Sequence, residues 1–300
     1  MLNPLSDPLE PLGPQITRSA AWPHDTRQFN FAVIGDRIRG QGSGAAYMTA
    51  LSKVASYQPD FIMTVGDLID VDAGGAGAPW DQHNTLRTYM RDVPVPVLYV
   101  RGDHDIGAGG DTPWKKVYGN QTYYAMVYRD TLFLVLDTQD GGTHRISPQQ
   151  RDWAMDILDT CCNPASKVPP KIRWTFVFVH VPWWMARPEV PHGTESWNFW
   201  NDIQGHLPRG THTVFAGHIH GLDPTIHPHG YANTTIGSGQ HIVVGATQGA
   251  SSDQFLWVTM TERGPVITST KLEGVSVLEP VPSLARGHFG ITDNAVLQRL

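Results

Sequence analysis

Short apolar runs recur along the chain and stop at the same kinds of residue. Phe29–Ile34 ends at Gly35-Asp36, Phe61–Val65 at Gly66-Asp67, and Val95–Val100 at Arg101-Gly102-Asp103-His104. Trp174–Val179 ends at His180, and Thr213–Ala216 at Gly217-His218. Strand length with β-branched or aromatic content predicts β-strands. Tyr123–Tyr128 and Thr131–Leu136, joined through Arg129-Asp130, predict a hairpin. Later strands are expected over His241–Val244, Phe255–Thr261 and Pro265–Leu272.

Between these runs the period changes to that of a helix. Ser147 can cap, Pro148 suits the first helical position, and Gln150 can reach back as a capping-box partner. Trp153, Ala154, Ile157, Leu158 and Cys161 then share one face. Weaker patterns over Gly44–Ser56 and Asp81–Met90 also predict helices. Strands alternating with helices imply an α/β protein with at least partly parallel sheets. Residues 1–27, with five prolines and no periodicity, read as an arm. Residues 28–274 read as the domain, and 275–300 as a tail packed on it.

The polar residues at the strand ends suggest the chemistry. Ligands in open α/β sheets bind beyond the carboxyl ends of the strands. Five runs end in Asp or His, four of them directly after Gly, a residue that permits tight turns. Brought together, these ends would crowd three carboxylates and several imidazoles into one cleft. Carboxylates so placed repel and are costly to desolvate, and metal ions are the simplest remedy. Mixed carboxylate and imidazole donors suit zinc, iron or manganese. In His218-Ile219-His220, alternate side chains of an extended segment share a face.

Composition narrows the field. The formal net charge is −6 and no Lys/Arg run exceeds two residues, which argues against a nucleic-acid partner. No apolar stretch is long enough to span a membrane, and the first residues lack the apolar core of a signal peptide. A cytoplasmic location is expected. Cys161 and Cys162 are adjacent and too few for a disulfide framework, so they are expected to end a helix as inert thiols.

The blocks in order are Gly35-Asp36, Gly66-Asp67-Leu68-Ile69-Asp70, Gly102-Asp103-His104-Asp105, His180 and Gly217-His218-Ile219-His220. This order resembles the calcineurin-like metallophosphoesterases, over roughly Gln28–Leu272. Leu134-Val135-Leu136-Asp137, Trp153 and Val179-His180-Val181-Pro182 are similar to the middle section of that family. The resemblance implies two mixed β-sheets packed as a sandwich flanked by helices, a four-layer αββα fold. It implies two metal ions (manganese, iron or zinc) about 3.5–4 Å apart. Asp67 would bridge them, Asp36 and His220 would hold the first, and Asp103, His180 and His218 the second. Metal-activated hydroxide would attack phosphorus in a mono- or diester. His104 would serve as general acid, oriented by Asp70. Arg101 stands where family members carry a phosphate-binding Arg, and is read either so or as a surface ion pair.

Two departures stand out. The family's usual first-block His is Ile38 here, so the first ion is expected to bind weakly or to recruit another ligand. His83 is one candidate, with a solvated loop His as the alternative. Asp103 replaces the usual Asn and adds a negative charge. Asp105 is expected to be a structural hydrogen-bond acceptor. Trp183, Trp184, Trp197 and Trp200 either wall the substrate site or pack in the core, while His227 and His229 are expected on the surface. Two functions follow: hydrolysis of a small-molecule or organic phosphate ester, or a non-catalytic descendant that holds one ion or none and acts as a scaffold.

Overall fold

The computed structural model describes residues 28–37, 43–69, 82, 83, 86, 93, 95–106, 112–162, 172–185, 194–219, 231–236, 239–244 and 254–271. The arm and the tail expected at the two ends lie outside the described residues.

Among the described residues, eleven strands form two mixed sheets. The first contains β1 (Phe29–Ile34), β2 (Phe61–Thr64), β3 (Val97–Leu98), β10 (Gln254–Thr261) and β11 (Gly264–Lys271), in the order β11-β10-β1-β2-β3. The second contains β4 (Tyr124–Tyr128), β5 (Thr131–Val135), β6 (Trp174–Phe178), β7 (His212–Ala216), β8 (Tyr231–Ile236) and β9 (Gly239–Val244), in the order β4-β5-β6-β7-β9-β8. β1, β2 and β3 run parallel, as do β5, β6, β7 and β9. The carboxyl ends within each parallel group therefore share one edge.

Alternation along the strands explains the layering. Phe29, Phe31 and Val33 of β1 face the second sheet, as do Phe61 and Met63 of β2. They meet Phe133, Phe176, Phe178 and Phe215 there. Phe31 stacks on Phe61 with ring centroids 5.3 Å apart and lies edge-on to Phe176 at 5.1 Å, both favourable aromatic geometries. Ala32, Ile34 and Ile62 face the opposite way, onto α1 (Ser43–Ser56) and α2 (Thr112–Tyr118). Leu132, Leu134, Val177 and Val214 pack on α3 (Pro148–Cys162) and α4 (Glu195–Gly205). Helices, sheet, sheet and helices form the four-layer sandwich that the family resemblance implied. Strands buried on both faces read as continuous apolar runs rather than alternating ones.

Some elements differ from the sequence expectation for local reasons. Only Val97–Leu98 of the Val95–Val100 run pairs as a strand, since the Val100 N–H donates to Thr64 Oγ1 at 3.1 Å instead of to a ladder carbonyl. Ser147 does cap α3, accepting from the Gln150 N–H at 3.1 Å. The reciprocal bond comes from Asp140, whose Oδ1 accepts from the Ser147 N–H at 2.7 Å. The Gln150 side chain turns instead to the Asp137 backbone, at 2.6 and 2.7 Å. Polar Tyr231–Ile236 gave no apolar signal, and neither α2 nor α4 was anticipated. α4 begins at a Thr194 cap accepting from Trp197 N–H at 3.3 Å. Among the described residues, no helix is long and apolar enough to cross a membrane.

Candidate metal centre

The site lies where the carboxyl ends of the two parallel strand groups meet. Asp36 follows β1, Asp67 follows β2, Asp103 follows β3, His180 follows β6 and His218 follows β7. Asp67, Asp103, His180 and His218 offer one donor atom each, and these atoms all lie within 4.8 Å of one another. Asp36 joins the group through its Oδ2, which accepts from the His218 N–H at 2.8 Å.

Glycine allows this closeness. A Cβ on Gly66 (φ +102°) would strike the His180 ring, and one on Gly102 would strike the carboxylate and N–H of Asp67. Side chains are excluded there because another ligand occupies the space. Asp67 and His218 themselves adopt φ of 55° and 69°, a conformation that costs non-glycine residues roughly 1–3 kcal/mol. Asp105 holds the turn together. Its carboxylate accepts from the N–H groups of Asp67 (3.0 Å), Leu68 (2.8 Å), Ile69 (3.1 Å) and Gly102 (2.8 Å). Burial and the neighbouring Asp67 charge push its carboxyl up, to about 8, against the pull of those donors. Every donor is an N–H, so the ionised carboxylate is the form that satisfies them, and a cation shared with Asp67 would lessen the push.

His180 ties the sheets and displays its other ring nitrogen to the group. Its Nδ1 lies 2.8 Å from the Val65 carbonyl, so that nitrogen must carry the proton. Nε2 then faces Asp103 Oδ1 at 2.8 Å and Asp67 Oδ2 at 3.3 Å. Burial pushes the imidazolium down, but Asp67 and Asp103 outweigh it and raise the pKa well above the ordinary value. Asp103 shows the converse. Burial pushes its carboxyl up, while His144, His180 and His218 hold it well below the usual range. The Nε2 position calls for positive charge, and a metal cation meets that demand as a proton does. His218 sets Nδ1 3.1 Å from Asp103 Oδ1 and leaves Nε2 buried with no hydrogen-bond partner. These donors fit a divalent ion.

His104 stands beside this group. Its N–H donates to Asp67 Oδ1 at 3.0 Å, and its Nε2 is 3.8 Å from Asp103 Oδ2. Asp70 and His220, assigned roles by resemblance, lie outside the described residues, as do Ile38, His227 and His229. Arg101 is neither exposed nor at the protein surface. Its Nε donates to Asp137 Oδ1 at 3.1 Å and the guanidinium forms an ion pair with that carboxylate, both side chains fully buried. Burial pushes the Asp137 carboxyl up to about 6, with Arg101 opposing. Trp183 is fully buried in the core beneath α3 and α4, its ring 6.2 Å from that of Trp200. His83 is buried rather than solvated: Nε2 donates to the Asp105 carbonyl at 3.2 Å and Nδ1 faces the Tyr118 hydroxyl at 3.3 Å.

One residue near the site was read without a role and one escaped the sequence reading. Asp137 entered only as the end of the Leu134-Val135-Leu136-Asp137 block, though it follows an apolar strand like the other acidic ends. His144 has Nε2 3.4 Å from Asp103 Oδ2 and its ring 4.8 Å from that of His218. It sits mid-loop in Gly141-Gly142-Thr143-His144, where no strand or motif announces it.

A dimetal phosphatase from Danio rerio superposes with a TM-score of 0.62 at 15% identity, over 80% of this chain and 95% of that one. The phosphoesterase Yfce from E. coli aligns at 11% identity, over 80% and 98% of the two chains, with a TM-score of 0.38. No curated protein sequence matches the chain. The family model described as calcineurin-like phosphoesterase matches residues 29–222. That span holds every strand end described above, and the chain belongs to the calcineurin-like phosphoesterase family.

Proposed function

We propose that the protein hydrolyses a small-molecule or organic phosphate ester, mono- or diester, at this metal centre. One observation carries the reading: four donors of mixed charge converge within 4.8 Å at the seam of the two sheets. An ion held by Asp67, Asp103, His180 and His218 would act as a Lewis acid toward water and the phosphoryl oxygens. Asp36 steadies His218 through its backbone. His104, on the outer oxygen of Asp103, donates a proton to the departing oxygen in this reading. With His220, Asp36 and Asp67 would hold a second ion. Arg101 contributes by fixing Asp137 rather than by gripping substrate. Membership of the family supports a hydrolase.

A non-catalytic protein holding one ion is the second reading, drawn from the one complete donor set found among the described residues. The two are separated by metal content and turnover of chromogenic phosphate mono- and diesters with added manganese, iron or zinc. We expect metal-dependent turnover, and a His104→Ala variant that keeps its metal while losing roughly 10²-fold or more in rate. At most one bound ion with no turnover of either ester would defeat the catalytic reading.

A further inference from the structure

We propose that His144 is a second imidazole that contacts the phosphate group, acting beside His104 at the open side of the metal centre. The inference rests on the phosphoesterase reading for its substrate class, and it stands on three observations about the loop between β5 and α3.

Position comes first. The two oxygens of Asp103 face different surroundings. Oδ1 meets His180 at 2.8 Å and His218 at 3.1 Å, on the inner side of the donor group. Oδ2 meets His144 at 3.4 Å and His104 at 3.8 Å. The side chains of His144, Asp103 and His104 are 22%, 17% and 10% exposed, against 0% and 1% for His180 and Asp67, with His218 at 10% bordering both sides. An ester must approach from this more open side.

The second observation is aim. His144 Nε2 is buried and makes no well-formed hydrogen bond. Its contact is a long ion pair with Asp103 Oδ2 at 3.4 Å. A buried ring nitrogen held only so loosely has bonding capacity that a ligand can complete. A phosphate oxygen accepts from a ring N–H.

Third, the loop is built to hold this residue. His144 has a left-handed φ of 53° without being glycine, and backbone outliers of this kind cluster at functional sites. Its N–H donates to Gln139 Oε1 at 2.8 Å. The turn is closed by Gly141 N–H on the Arg145 carbonyl (3.1 Å) and Arg145 N–H on the Gly142 carbonyl (3.0 Å). Asp140 fastens it to the first turn of α3 through Ser147. A solvated loop histidine needs none of these restraints.

The test measures inorganic phosphate binding to the metal-loaded protein by calorimetry, with metal content read in parallel. His144→Phe keeps a ring against His218 and removes the nitrogens, and His144→Gln restores an N–H donor at similar reach. We expect His144→Phe to keep its metal and weaken phosphate binding about tenfold, with His144→Gln recovering most of the loss. If His144→Phe does not fold, His144→Ala takes its place in the comparison with His144→Gln. Unchanged phosphate affinity, loss of metal from the variants, or a wild-type protein that binds no phosphate overturns the proposal. A wild-type protein that binds phosphate in this pattern yet hydrolyses neither ester supports the His144 contact and defeats the catalytic reading alone.

Discussion

The two sheets contribute opposite chemistry to the same site. The five-stranded sheet ends in carboxylates, Asp36, Asp67 and Asp103. The six-stranded sheet sends imidazoles, His180 and His218 from strand ends and His144 from the loop after β5. Neither set is well placed alone. Buried carboxylates repel one another, and the buried His180 ring is raised only because Asp67 and Asp103 face it. One crossed pair follows the same logic, since Arg101 from the first sheet neutralises Asp137 from the second. The ligand group therefore arises from packing the sheets together, and the phenylalanine layer between them is part of its construction.

Removing charge from the acidic side is the severest way to break this complementarity. Asp67→Asn keeps the shape and deletes the central charge. It should lose metal, measured by plasma mass spectrometry, and reduce kcat/KM by roughly 10³-fold or more. The next test loosens the acidic side without touching a ligand. Asp105→Asn leaves one acceptor oxygen for four N–H donors and turns an amide N–H toward two of them. We expect about 2–4 kcal/mol of lost stability in urea unfolding, with weaker metal binding.

The mildest test sharpens the comparison inside the imidazole sheet. His180 is raised by its carboxylates, whereas burial and then His212 lower buried His241 on β9 to about 4. Its folded pKa lies below the unfolded value near 6.5, so the unfolded state binds the extra proton. Stability is complete above about pH 6.5 and falls as pH drops toward 4, by on the order of 2 kcal/mol. His241→Leu should flatten that slope in thermal melts across this window, and an unchanged slope would exonerate His241.

Much of this was legible in the sequence because strands and site share one signal. A strand buried on both faces is a plain apolar run, and a candidate donor at its end is a polar residue that stops it, as at Ile34-Gly35-Asp36. The same rule pointed to Asp67, Asp103, His180 and His218, which converge in the structure. It did not carry His144, whose place depends on a turn fastened by Gln139 and Asp140 side chains. Nor did it show that Arg101 turns inward, since a strand-end Arg reads alike whether its carboxylate partner is buried or absent. Gln150 illustrates a third limit: capping chemistry was visible at Ser147, but a nearby Asp could supply the reciprocal bond and free Gln150 for the Asp137 backbone.

The bond from His180 Nδ1 to the Val65 carbonyl crosses from one sheet to the other on the ring whose far nitrogen faces the ligand group. That imidazole works as a rivet with its head in the candidate metal centre. An ion bound there would tighten the rivet, so the cohesion of the whole sandwich would become a readout of cargo. Starving the protein of such an ion should then be felt as slackness along the line where the two layers join.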